Sequence, residues 1–150
     1  MKRVIFVEII SFLFILLFVY ASLMKLMDVE QFVAQLGQSP LLMPFADFTS
    51  WFIPSVELAV AALLIFRKTR LVGLIGSFTL MVMFTAYVVV ILSFASHVPC
   101  SCGGILEKMG WTEHLVFNGV FVLLSVWGVY LQAKGQEAGK PEGQAVVVAT

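Results

Sequence analysis

Four long stretches of nearly unbroken apolar residues alternate with short polar segments along the chain. They run from about Val4 to Met24, Asp47 to Phe66, Leu71 to Ala95 and Thr112 to Leu131. A bilayer core of about 30 Å is crossed by roughly 20 apolar residues in a helix. Each stretch therefore predicts a transmembrane helix, and the third is long enough to tilt. Between the first two, Leu26, Val29, Phe32, Val33 and Leu36 recur at helical spacing, with Asp28, Glu30 and Gln31 among them. That pattern predicts a short amphipathic helix lying on the membrane. Gly37 and Pro40 end it, and Pro44 keeps the next few residues irregular. Residues 134–150 read as a disordered tail, and the run from Ala145 to Ala149 is too short to span. The predicted fold class is all-α: a transmembrane four-helix bundle at residues 1–133 with a short amphipathic helix on its outer side.

Composition agrees with lipid as the solvent. Of 150 residues, 61% are hydrophobic and only 12% charged, against about 25% charged in an ordinary soluble domain. Mean hydropathy is +1.02. A formal net charge of zero offers no basic face for nucleic acid. Within these residues no stretch remains to build a globular catalytic domain beside the spans. The first segment reads as a retained span rather than a cleaved leader. Its apolar run exceeds the ~7–15 residues of a signal core, and Tyr20-Ala21-Ser22 is a poor cleavage site.

Orientation follows from the basic residues of short loops. Lys2, Arg3, Arg67, Lys68, Arg70, Lys134 and Lys140 share one side if there are four spans, and only Lys25 and Lys108 fall on the other. This places both termini in the cytoplasm and exposes segments 25–46 and 96–111 on the outer face. Trp51 and Trp111 then belong near the outer interface, and Trp127 and Tyr130 near the inner one, as aromatic belts or as packing residues.

The only two cysteines, Cys100 and Cys102, are separated by one serine and surrounded by His97, Pro99, Gly103 and Gly104. Three readings compete. Two inert thiols are the plainest, but cysteines facing an oxidising compartment rarely stay free. The second is a redox pair. One intervening residue closes a very small disulfide ring whose strained geometry raises its reduction potential. It closes almost no chain and so is a poor staple. It makes a better exchange partner for another thiol, and the two glycines leave room for a partner backbone. The third is a metal site for Cu(I) or Zn from His97, Cys100, Cys102 and perhaps His114. No second cysteine pair completes it.

Glu57 lies ten positions before Arg67, roughly 15 Å from the cytoplasmic end and near the bilayer middle. A carboxyl there must be protonated, paired or hydrated, and marks a functional site by default. Pro54 frees a backbone carbonyl beside it. The plainer alternative is a protonated Glu57 bonded to a neighbouring helix. Glu8 is expected to snorkel or pair with Arg3, and Lys25 to pair locally with Asp28. His114 and Asn118, four apart, share one face of the fourth span. They suit either proton handling near the thiols or interhelical hydrogen bonding.

Taken together, these residues give the chain a resemblance to the MauE family within the wider DoxX-like membrane proteins, over roughly residues 1–133. It rests on Ala21-Ser22-Leu23-Met24-Lys25-Leu26-Met27-Asp28, on Phe32, and on Pro54-Ser55-Val56-Glu57. The most specific block is His97-Val98-Pro99-Cys100-Ser101-Cys102-Gly103-Gly104, followed by Trp111 and Asn118. The resemblance implies a four-span bundle in the bacterial inner membrane, with Cys100 and Cys102 on the periplasmic side and associated with a thioredoxin-like partner; the family's namesake is needed, with such a partner, for maturing disulfide-rich methylamine dehydrogenase. Here Gly103 follows the second cysteine where an aromatic is commoner in the family, so the methylamine association is not carried over.

The expected function is that of a membrane thiol–disulfide component using Cys100 and Cys102, with Glu57 and His114 as candidates for proton handling. A quinone near Glu57 or His114 is a candidate final electron acceptor, although nothing in the sequence specifies its pocket. The rival readings are a non-catalytic assembly or scaffold subunit and metal handling by the Cys-x-Cys loop. A quinol-oxidase-like subunit is suggested only by the DoxX relation.

Overall fold

The computed structural model describes residues 2–37, 42–94 and 110–138. Five α-helices account for most of them: α1 (Lys2–Met27), α2 (Val29–Gly37), α3 (Ala46–Ile65), α4 (Arg70–Phe94) and α5 (Trp111–Ala138). A single 3₁₀ turn, Met43–Phe45, leads into α3. No strand occurs among the described residues. Four of the helices are long and apolar enough to cross a membrane, and α2 is the short amphipathic one. The all-α four-helix architecture expected from the hydropathy pattern is therefore present. α5 continues through Lys134 and Gly135 to Ala138, into the segment that reads from sequence as a disordered tail.

The four long helices form a ring in the order α1, α3, α4, α5, while α1 and α4 lie on a diagonal and scarcely touch. One buried stripe per helix turns inward. On α1 it is Val7, Ile10, Phe14 and Phe18, one helical turn apart. Val60, Ala61 and Leu64 of α3 and Leu74, Leu80 and Met81 of α4 belong to the same buried cluster. Phe14 meets Phe121 of α5 edge to face, with centroids 5.3 Å apart. Outward faces are as apolar as the core: Ile5, Phe12, Leu16, Phe48, Trp51 and Leu123 are all exposed. A helix that is hydrophobic all round needs an apolar surrounding, and here lipid supplies it. This is a multi-pass membrane protein.

Small residues set the helix spacing, as in other membrane bundles. Ser11, Ser22, Ser50, Ser77 and Ser125 are buried at helix contacts. Most return their hydroxyl proton to their own helix; the Ser77 hydroxyl donates to the Gly73 carbonyl at 2.8 Å. Gly73 lets α4 close on α3: a Cβ there would lie 3.0 Å from the Leu64 backbone nitrogen.

The α3–α4 turn is tied down at both ends. Thr69 Oγ1 donates to the Leu63 carbonyl at 2.9 Å, and Arg70 Nε donates to the Leu64 carbonyl at 3.4 Å. These donors satisfy carbonyls left open at the end of α3. Arg67 and Arg70 also reach Glu8 of α1, at 2.9 and 3.8 Å. Glu8 thus pairs across helices rather than with Arg3. The pair Arg3/Glu8 is five positions apart and off one helical face.

The result is an up-and-down bundle. The start of α1, the α3–α4 turn and the end of α5 share one end. The α1–α3 connection, which carries α2, shares the other with the end of α4 and the start of α5.

Candidate functional site

The Lys25 ammonium bonds Glu57 Oε1, across thirty-two positions of sequence. Glu57 is fully buried and the Lys25 side chain is 14% exposed. Oε2, the other carboxylate oxygen, accepts a hydrogen bond from Ser22 Oγ at 2.8 Å. Ser22 Oγ also lies 3.3 Å from the Pro54 carbonyl. Lys25 and Ser22 are three apart on α1 and so share a face, which delivers a cation and a hydroxyl to one carboxylate. A carboxylate inside a membrane bundle needs this kind of partner.

Lys25 does not pair with Asp28, its nearer neighbour in sequence. α1 ends at Met27, and Asp28 leaves the helix to cap the next one: its Oδ1 accepts from the Gln31 backbone N–H at 3.2 Å. Released from that interaction, Lys25 points into the bundle between two aromatic faces. Its nitrogen is 4.9 Å from the Phe84 centroid on α4 and 5.7 Å from that of Phe32 on α2. Both distances suit a cation–π contact.

Beside this cluster lies a cavity of about 380 Å³, bordered by α1, α2, α3, α4 and α5. Its walls are mostly apolar and aromatic, and Lys25, Glu57, His114 and Asn118 put polar groups on its surface. His114 and Asn118 are only 6% and 4% exposed. Their Nδ1 and Nδ2 atoms have no hydrogen-bond partner among the described residues. Among the described residues, neither of these atoms makes the interhelical bond that the sequence offers as one alternative. The start of α5, which positions both, is fixed locally. Glu113 Oε2 accepts from the Gly110 N–H at 3.1 Å, and the His114 N–H donates to the Gly110 carbonyl at 2.9 Å. This is the reach-back of a capping box.

Of the residues singled out in the sequence, Glu57 and His114 therefore border one cavity. Cys100, Cys102 and His97 lie outside the described residues, and the redox and metal readings attached to them lie there too. Among the described residues no cluster of three or more His, Cys, Asp or Glu could hold a metal ion. Sequence reasoning misses Lys25 and Ser22 as site residues. A signal exists: two charged residues within apolar helices need each other more than either needs a loop partner.

Two of the blocks that carry the family resemblance meet here. Ser22 and Lys25 come from the first, Glu57 from the second, and Phe32 and Asn118 border the same cavity. The family model described as "Methylamine utilisation protein MauE" matches residues 3–131, nearly the whole chain, and the protein belongs to that family. No curated protein matches, and no solved structure matches.

Proposed function

We propose that this MauE-family protein is a membrane thiol–disulfide component, with Cys100 and Cys102 as its working pair. The carrying observation is their position in the chain. They are the only cysteines, and in sequence both fall between α4 and α5; α4 ends and α5 begins at the end of the bundle opposite the Arg67–Arg70 turn. Basic residues mark that turn as cytoplasmic, so the cysteine connection faces the periplasm and both termini face the cytoplasm. An oxidising compartment is where such a pair is used.

The partner is an extracytoplasmic thioredoxin-like protein. One cysteine thiolate attacks the partner disulfide and forms a mixed disulfide, and the second cysteine resolves it. The products are a Cys100–Cys102 disulfide and a reduced partner; the reverse sequence runs equally. Two electrons and two protons move in either direction. Support for a reactive rather than structural pair is the single residue between the cysteines, which makes their ring too small to stabilise the fold.

Trapping tests this reading. Membranes carrying Cys102→Ser, prepared without reductant, should hold a mixed disulfide through Cys100, and mass spectrometry of the adduct names the partner. Absence of an adduct in both single variants, together with full complementation by the Cys100→Ser/Cys102→Ser double variant, would favour a scaffold role instead.

A further inference from the structure

We infer that the cavity beside the Lys25–Glu57 pair is a binding site for a quinone-class molecule. Four observations lead there. Its volume, about 380 Å³, falls within the roughly 300–1,000 Å³ of small-molecule sites. Its few polar groups converge from different helices: Lys25 from α1, Glu57 from α3, and His114 and Asn118 from α5. Two of those groups, His114 Nδ1 and Asn118 Nδ2, are more than nine-tenths buried without a partner among the described residues. A buried polar atom left unsatisfied is unfavourable, and a bound hydrogen-bonding partner removes that cost. Finally, Phe84 and Tyr87 supply aromatic surface against which a planar ring packs.

Charge decides what kind of ligand fits. Lys25 and Glu57 already neutralise each other, so an anionic headgroup would add an uncompensated charge inside the bundle. A neutral molecule with carbonyl acceptors adds none. The Asn118 amide N–H donates to a carbonyl oxygen. Neutral imidazole has one donor and one acceptor nitrogen, so His114 suits either the carbonyl of a quinone or the hydroxyl of a quinol. A lipid-soluble occupant also suits the surroundings, because the outer faces of all four spanning helices are apolar.

The site would give the thiol chemistry its electron partner. A Cys100–Cys102 dithiol reduces a quinone by two electrons and two protons, leaving a disulfide and a quinol, with no further reagent. That step rests on the proposed thiol–disulfide function; the binding site does not.

The test uses the full chain in phosphatidylcholine nanodiscs, with a decyl-chain azidoquinone as photolabel and unlabelled decylubiquinone as competitor. Adducts should map to the peptides carrying Phe84–Tyr87 or His114–Asn118, and the competitor should abolish them. Asn118→Leu and His114→Leu each replace a buried unpartnered polar group with an apolar side chain, and a circular-dichroism melt of each variant checks that it is folded. Each should weaken binding about tenfold. Trp51→Leu, on the lipid-facing surface of α3, should leave binding unchanged. The Cys100→Ser/Cys102→Ser variant should bind as the wild type does, so failed thiol chemistry would leave the site standing. Labelling that the competitor does not displace, or equal affinity in both α5 variants and the wild type, would overturn the proposal.

Discussion

Lys25 and Glu57 join α1 to α3 by an ion pair buried inside the bundle, with Ser22 completing the shell of the carboxylate. Removing one member of such a pair strands the other in a medium that cannot solvate it, at a cost of about 3–5 kcal/mol. Lys25→Met should therefore destabilise the protein by about that much. The double variant Lys25→Met/Glu57→Met should recover most of the loss. Unfolding titrations of the purified protein in detergent, arranged as a double-mutant cycle, read both values. Simple additivity of the two single losses would show that the residues do not interact.

Ser22→Ala removes one hydrogen bond to Glu57 Oε2 but leaves the Lys25 contact in place. Interhelical hydrogen bonds in membrane bundles contribute roughly 0.6 kcal/mol on average and up to about 1.7. The loss should fall in that range, well below that of Lys25→Met, and the same titration measures it.

Two glycines separate packing from backbone effects. At Gly73 an added Cβ meets the Leu64 side chain at 2.9 Å and its backbone nitrogen at 3.0 Å, whereas at Gly119 nothing lies within 4 Å. Gly73→Ala should cost about 1–3 kcal/mol through overpacking. Gly119→Ala, in a helix interior with space around it, should be neutral or stabilising by up to about 1 kcal/mol. Equal effects at the two positions would contradict the close α3–α4 packing.

How much of the fold and site is legible in the sequence depends on the range of the interaction. The spanning helices are readable because each is a run of apolar residues whose length matches a bilayer, and that signal is local. The amphipathic period of Leu26 to Leu36 reveals α2 for the same reason. Partners of the buried charges are not readable from local spacing. Lys25 has Asp28 one turn away, and nothing nearby says that the helix stops at Met27 and that Asp28 caps α2 instead. Glu8 similarly has Arg3 close in sequence, yet pairs with Arg67 and Arg70. The helix register explains both. The antiparallel alignment that sets Glu8 beside Arg67 also sets Ser22 beside Pro54 and Glu57. A cavity lined from five helices has no signature in any one of them.

The Glu8–Arg67 contact serves as the exposed counterpart of the buried pair. Arg67 is 78% exposed and Glu8 is 42% exposed. Water screens such a pair, and its contribution is typically below about 1 kcal/mol. Glu8→Gln should therefore change stability far less than Lys25→Met does, and the small change should shrink further in high salt. A loss as large as that at Lys25 would mean that Glu8 anchors the α3–α4 turn more strongly than its exposure implies.

The central claim is that the cysteine pair works in an oxidising compartment outside the cytoplasm. Intact cells treated with a membrane-impermeant maleimide test it most directly, with and without prior reduction. Little labelling before reduction and modification of Cys100 and Cys102 after it, with the inner membrane still sealed, is the predicted result. Modification only after the membrane is permeabilised would place the pair on the cytoplasmic side and contradict the proposal.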